Sequence, residues 1–126
     1  MLVGKHRTRW FSVEAGVRQG CILSPILFAI FIDGLARVVN QVKVRSVLTG
    51  TKFNIALFAD DVALLAKSEE DLQKLLNAVR DYSQKWRFKW NFSKSKVMHF
   101  GTRKNKSPVR VVLGFHKLDL VNSLNI

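Results

Sequence analysis

Residues 53–66 read FNIALFADDVALLA, in which two adjacent aspartates, Asp60 and Asp61, separate two apolar runs. Apolar residues alternate with others before the pair and follow one another after it, so the pattern predicts two strands joined by a tight acidic turn. Like charges side by side at the edge of a core raise each other's energy unless a cation compensates them, and Mg²⁺ prefers carboxylate and phosphate oxygens. Taken alone, such a pair is more often a solvated turn than a metal site, so the choice depends on the flanking sequence.

The residues after this stretch predict an amphipathic helix over 68–85. Ser68 and Asp71 have the spacing of a capping box, and Glu69 and Glu70 place negative charge in the first turn. Leucines and other large residues then recur at helical intervals.

A second helix is predicted before the acidic stretch, from Ser24 and Pro25 to Asn40, because serine followed by proline is typical of a helix start. Residues 26–32 are all apolar, which predicts burial on several sides. Gly34 within this helix carries the usual glycine penalty of about 1 kcal/mol.

Short apolar segments predict further strands, near 11–15, 88–90, 97–100, 109–113 and 118–121. Strands and helices in this order favour an α+β fold in which helices pack on one face of an antiparallel sheet. Aromatic residues at Trp86, Phe88 and Trp90 are expected to pack in the core more readily than to stack on bases.

The composition indicates a polyanionic partner. The chain has 126 residues, with 21 Lys and Arg against 9 Asp and Glu and a formal net charge of +12. Nucleic acid is the first expectation and an anionic membrane surface the second. The sequence holds no run of the roughly 18 apolar residues that a membrane span requires. The chain has a single cysteine, Cys21, which excludes an internal disulfide. We expect Cys21 to be a small buried residue at the junction between the loop and the helix that starts at Ser24.

The sequence FADD at 58–61, with its flanking runs, resembles the catalytic hairpin of reverse transcriptases, in the variant typical of non-LTR (LINE-like) retrotransposons and group II introns. The resemblance implies that Asp60 and Asp61 are catalytic and hold Mg²⁺ in a two-metal site, with Asp60 the stronger ligand. It also implies that Phe58 lies beside the bound nucleotide.

Two further blocks carry the same resemblance at family-like separations. Residues 16–28, GVRQGCILSPILF, resemble the loop and helix that contact template and incoming nucleotide, which implies that Arg18, Gln19 and Gly20 bind the nucleotide. Residues 91–100, NFSKSKVMHF, resemble the following block, which implies that Lys94 is catalytic and neutralises charge on the departing pyrophosphate.

The resemblance implies a partial palm domain over 1–126, with the fingers, the first metal-aspartate block and the thumb missing. Before Asp60 the acidic residues are Glu14 and Asp33, and neither has the setting of the family's first metal ligand. The two-metal site is therefore expected to be incomplete, and Asp33 is expected to serve a partner within its helix. A gene fragment of a retroelement is the expected source.

The expected function is that of an RNA-directed DNA polymerase fragment, inactive as an isolated chain. The intact family transfers a nucleotide from a deoxynucleoside triphosphate to the 3′-hydroxyl of a DNA primer on an RNA template. The alternatives are a non-catalytic, basic nucleic-acid-binding remnant and a product without a stable fold. An intracellular location is expected, nuclear or cytoplasmic, and the sequence leaves the oligomeric state open.

Overall fold

A computed structural model describes residues 2–3, 6–7, 20–44, 53–100 and 110–121 of the chain. The described residues form two helices and eight short strands: β1 (Leu2–Val3), β2 (His6–Arg7), α1 (Ser24–Gln41), β3 (Ile55–Phe58), β4 (Asp61–Leu64), α2 (Glu69–Trp86), β5 (Lys96–Met98), β6 (Val112–Leu113), β7 (His116–Lys117) and β8 (Asp119–Val121). The predicted strand at 11–15 lies outside the described residues.

The α+β class is confirmed, although the strands are arranged differently from the predicted sheet. Within the described ranges they form four separate two-stranded sheets. The pairs β1–β2, β3–β4 and β6–β7 are antiparallel, whereas β5 and β8 are parallel. Two parallel strands need a crossover connection. The segment between β5 and β8, which includes the β6–β7 hairpin, supplies it.

Helix α2 follows the prediction closely because its start is encoded locally. The backbone N–H of Asp71 donates to the Ser68 side-chain oxygen over 3.2 Å, and three acidic residues occupy the first turn. Arg87 closes the other end in the left-handed conformation, with φ at 57°. The face made of Leu75, Leu76 and Val79 is buried.

Helix α1 has the predicted length, but the prediction that it is buried on several sides is wrong. Ile26, Leu27 and Ile30 are 54%, 53% and 68% exposed, whereas Leu35 and Val39 on the other face are fully buried. The helix packs against α2 and β3 through that second face. The apolar composition could not reveal which face has a packing partner.

The two helices meet at Gly34 and Tyr82. The Tyr82 hydroxyl donates to the Phe31 carbonyl oxygen over 2.6 Å, and a Cβ added at Gly34 would lie 2.6 Å from that hydroxyl. A side chain at position 34 would therefore force the Tyr82 hydroxyl to shift, so the close approach of α2 favours glycine there.

An aromatic cluster extends this contact. The Phe31 ring meets the Trp86 and Phe88 rings edge-on, at centroid distances of 5.8 and 5.4 Å, and Phe88 lies 5.0 Å from Trp90. The predicted packing role of these aromatics is confirmed. The predicted strand at 88–90 is wrong, since these residues connect α2 to the next turn without pairing.

Candidate active site at the acidic hairpin

Strands β3 and β4 form the predicted hairpin with a two-residue turn. Phe58 pairs with Asp61 at its end, so Ala59 and Asp60 make the turn. Ala59 has a φ of 49°, and a positive φ at the first of two turn residues is the feature of the II′ class that fits the twist of paired strands. Asp60 lies at the tip and Asp61 begins β4, and both are exposed. The hairpin therefore presents two neighbouring carboxylates to solvent.

A buried asparagine anchors the base of this hairpin, and the sequence analysis did not identify it. The Asn54 side-chain N–H donates to the Leu65 carbonyl oxygen over 3.0 Å, and the Leu65 backbone N–H donates to the Asn54 carbonyl oxygen over 2.9 Å. Asn54 is 3% exposed. These bonds fix where the hairpin emerges from the core.

Phe58 is the last residue of β3, directly before the two-residue turn. Its side chain is 82% exposed, and its backbone is opposite Asp61 in the strand register. A large apolar side chain kept in water next to two carboxylates has no packing role within the described part of the chain. This position leaves the ring available to a ligand.

The glutamine-bearing loop is described only from Gly20 onward, and Arg18 and Gln19 lie outside the described residues. Gly20 is exposed, with φ at 78° and open space around a Cβ built on it. Glycine is therefore favoured at position 20 by backbone conformation. The helix that follows this loop packs on β3, the strand that leads to Asp60.

Lys94 is exposed on a turn that Asn91 organises. The Asn91 side-chain oxygen accepts from the Ser93 hydroxyl over 2.7 Å, and its backbone oxygen accepts from the N–H of Ser95 over 3.0 Å. The strand after this turn, β5, pairs with β8. Lys94 is therefore carried by a different two-stranded sheet from the one that carries Asp60.

The donor set suits part of a Mg²⁺ site. No group of three or more His, Cys, Asp or Glu side chains comes together in the parts of the chain that the structure describes. Mg²⁺ is usually held by one or two carboxylates, and substrate phosphates and water complete its coordination shell. Asp60 and Asp61 fit the role of those carboxylates. Asp33 accepts from Arg37 over 2.7 Å, which confirms its expected role within α1.

Cys21 does not contribute to a buried junction as expected, because it is exposed at the loop before α1. The first turns of the helix that follows it are themselves largely open to solvent. Neither helix that the structure describes is both long and apolar enough to cross a bilayer.

Three features follow one another along the chain in the order expected for a polymerase palm. They are the glutamine-bearing loop with the helix after it, the acidic hairpin, and the turn that carries Lys94. A profile of the family described as "Reverse transcriptase (RNA-dependent DNA polymerase)" matches residues 2–117. The chain belongs to this reverse transcriptase family.

Individual relatives come from non-LTR retrotransposons. The chain is 40% identical over 87 residues to the RNA-directed DNA polymerase from mobile element jockey of Drosophila funebris, covering 64% of this chain and 9% of that protein. It is 36% identical over 77 residues to the Pol polyprotein from type-1 retrotransposable element R2 of Nasonia vitripennis, covering 61% of this chain and 7% of that protein. The RNA-directed DNA polymerase from mobile element jockey of Drosophila melanogaster is 31% identical over 104 residues, covering 76% of this chain and 11% of that protein.

The chain thus spans between 7% and 11% of the length of these relatives. No solved structure matches the chain.

Proposed function

We propose that this chain supplies the central part of the palm of an RNA-directed DNA polymerase. The observation that carries the proposal is the β3–β4 hairpin, which exposes Asp60 and Asp61 side by side at its tip in a chain of the reverse transcriptase family. Two carboxylates fixed on a short rigid turn are suited to hold Mg²⁺ against the phosphates of a nucleotide.

Each candidate residue has a role in this proposal. Asp60 would be the main Mg²⁺ ligand with Asp61 in support, and the ion would supply positive charge against the oxygens of a phosphoryl transfer. The Phe58 ring borders the nucleotide. Arg18, Gln19 and Gly20 contact the incoming nucleotide, and Lys94 neutralises charge on the leaving group.

The reaction joins the primer 3′-oxygen to the α-phosphorus of a deoxynucleoside triphosphate. The bond from that phosphorus to the bridging oxygen of the β-phosphate breaks, pyrophosphate leaves, and the proton of the 3′-hydroxyl passes to water. Further carboxylates are needed for a complete two-metal site, so the isolated segment is expected to bind metal and nucleotide without efficient turnover. The partners are an RNA template, a DNA primer and deoxynucleoside triphosphates, and we place the protein inside the cell.

A hybrid polymerase tests this assignment. Residues 2–117 would replace the matching segment of the Drosophila funebris jockey polymerase, and extension of a DNA primer on an RNA template would be measured with Mg²⁺. We expect extension that Asp60→Asn abolishes and Asp81→Asn, an exposed aspartate of α2, leaves unchanged. A folded hybrid that binds primer and template but extends equally well with Asp60→Asn would contradict the proposal.

The basic charge supports a second candidate, a nucleic-acid-binding remnant without catalysis. Among the described residues after 84, seven are basic and one is acidic. Such a protein would bind duplex or single strands with an affinity that falls steeply with salt, whatever the metal. Binding that persists in EDTA, together with a hybrid that never extends a primer, would favour this candidate over the polymerase.

A further inference from the structure

A groove lies away from the acidic hairpin in the described structure, between the last turns of α2, the connection that follows it and the β6–β7 hairpin. Its volume is about 280 Å³, close to the lower end of the roughly 300–1,000 Å³ of ligand pockets. The residues that matter here are Arg80, Lys89, Trp90, Phe92, Phe115 and His116. The described residues assigned to the polymerase site, which are Gly20, Phe58, Asp60, Asp61 and Lys94, do not line this groove.

The wall formed by β6–β7 is held rigidly on α2. The Gln73 side-chain amide donates to the Val112 carbonyl oxygen over 2.9 Å and accepts from the Val112 N–H over 2.8 Å. The Leu113 side chain beside this contact is 4% exposed. Gly114, with φ at 65°, makes the turn close above Arg80. The groove is therefore preformed.

Flat aromatic surfaces line the groove. The rings of Phe92 and His116 stack with their centroids 3.9 Å apart and their planes 22° from parallel. Phe115, at the tip of the β6–β7 turn, is fully exposed. An aromatic ring exposed to water gains free energy when another flat ring stacks on it.

The groove also offers positive charge. Lys89 is exposed at the rim, and Arg80 is held in place by two bonds to Asp81, of 2.9 and 2.7 Å. No carboxylate among the described residues lines the groove itself. Its chemistry therefore fits an anionic ligand with a flat ring.

We propose that this groove is a second nucleic-acid site, which binds single-stranded RNA or DNA by taking a base against the aromatic wall and an adjacent phosphate at Lys89. Nucleobases combine a π-face with hydrogen-bond acceptors, and their phosphates supply the negative charge. An acidic peptide without aromatic side chains would satisfy the charge but would leave the exposed Phe115 ring without a stacking partner. The site acts independently of Mg²⁺ and of the acidic hairpin.

The test is binding of a fluorescent eight-nucleotide oligo(dT) to the full chain in EDTA, followed by anisotropy over a series of salt concentrations. We expect Phe115→Ala to weaken binding about tenfold, in line with the loss of one base stack, and Phe115→Tyr to retain it. Lys89→Ala should lower the slope of log affinity against log salt by about one.

Matched variants test whether the loss of binding is specific to the groove. Phe100→Ala removes an aromatic side chain that is 78% exposed elsewhere, and Lys67→Ala removes an exposed lysine at the opposite end of α2. Both should bind as the original chain does, and so should Asp60→Asn, because the polymerase site is silent in EDTA. Thermal unfolding confirms that Phe115→Ala is folded.

Two outcomes would overturn the proposal. One is equal binding by the original chain, Phe115→Ala and Lys89→Ala. The other is displacement of oligo(dT) by polyglutamate of matched charge as effectively as by unlabelled oligo(dT), which would identify a surface for acidic peptides. Loss of primer extension in the hybrid polymerase by itself would leave the groove unaffected, so the two proposals can fail separately.

Discussion

Single atoms decide the contact between the two helices. The Tyr82 hydroxyl is bonded to the Phe31 carbonyl oxygen and lies where a side chain at Gly34 would begin. The sequence showed a glycine within a helix but gave no reason for it. The reason is a partner 48 residues further along the chain, and local patterns carry no information about such a partner.

We expect Gly34→Ala to lower the free energy of unfolding by about 1 kcal/mol, even though alanine is the better helix former by a similar amount, because overpacking costs about 1–3 kcal/mol. Urea unfolding measures this change. In a Tyr82→Phe background, which lacks the obstructing hydroxyl, the same substitution should cost less. An equal cost in both backgrounds would show that the hydroxyl contact is not the cause.

Burial raises the pKa of Tyr82, and the charge of Asp33 adds to the effect. The folded chain thus holds the phenolic proton more tightly than the unfolded chain, so the stability from this group is complete below pH 10 and is lost as the pH rises through the folded pKa. Tyr82 is the chain's one tyrosine, so absorbance of tyrosinate reports it directly. We expect tyrosinate to form at higher pH in the folded chain than in urea. Identical titration curves would contradict this account.

At the scale of elements, the sequence predicted what local signals encode. Helix α2 was predicted to within one residue at each end, because its serine cap and acidic first turn act within a few residues. The acidic turn was predicted for the same reason. The buried face of α1, the pairing of β5 with β8 and the unpaired connection at 88–90 depend on distant partners. Local sequence patterns therefore predict the secondary-structure elements more reliably than the contacts between them.

The two faces of α1 should respond differently to substitution. Ile30→Gln, on the exposed face, should change the free energy of unfolding by less than about 0.5 kcal/mol. Leu35→Ala, on the fully buried face, should lower it by about 2–5 kcal/mol. Chemical denaturation of both variants distinguishes the faces, and a large loss of stability with Ile30→Gln would mean that the exposed face is packed in solution.

The hairpin depends on Asn54, whose side chain satisfies the Leu65 carbonyl oxygen. Asn54→Leu leaves that partly buried acceptor without its side-chain partner, so we expect a loss of about 1–3 kcal/mol in the free energy of unfolding. Divalent-ion binding at the hairpin should weaken as well, since its base is no longer fixed. Unchanged stability and unchanged ion binding would contradict a role for Asn54 in positioning the hairpin.

At the scale of the whole molecule, the candidate site is only partly contained in the described structure. The sequence suggested Asp60, Asp61, Phe58, Gly20 and Lys94, and the structure describes each as exposed. Asp60, Asp61 and Phe58 share one hairpin, and Lys94 lies before another sheet. Roles that involve template, primer and nucleotide arise between this segment and its ligands.

The most direct test is the affinity of the chain for Mn²⁺, used in place of Mg²⁺ and measured by electron paramagnetic resonance with and without a deoxynucleoside triphosphate. We expect the chain to bind Mn²⁺ more tightly when the nucleotide is present. The Asp60→Asn/Asp61→Asn double variant should lose this increase, and Asp81→Asn should keep it. Equal Mn²⁺ and nucleotide binding by the original chain and the double variant would contradict the claim that these carboxylates hold a metal against a nucleotide.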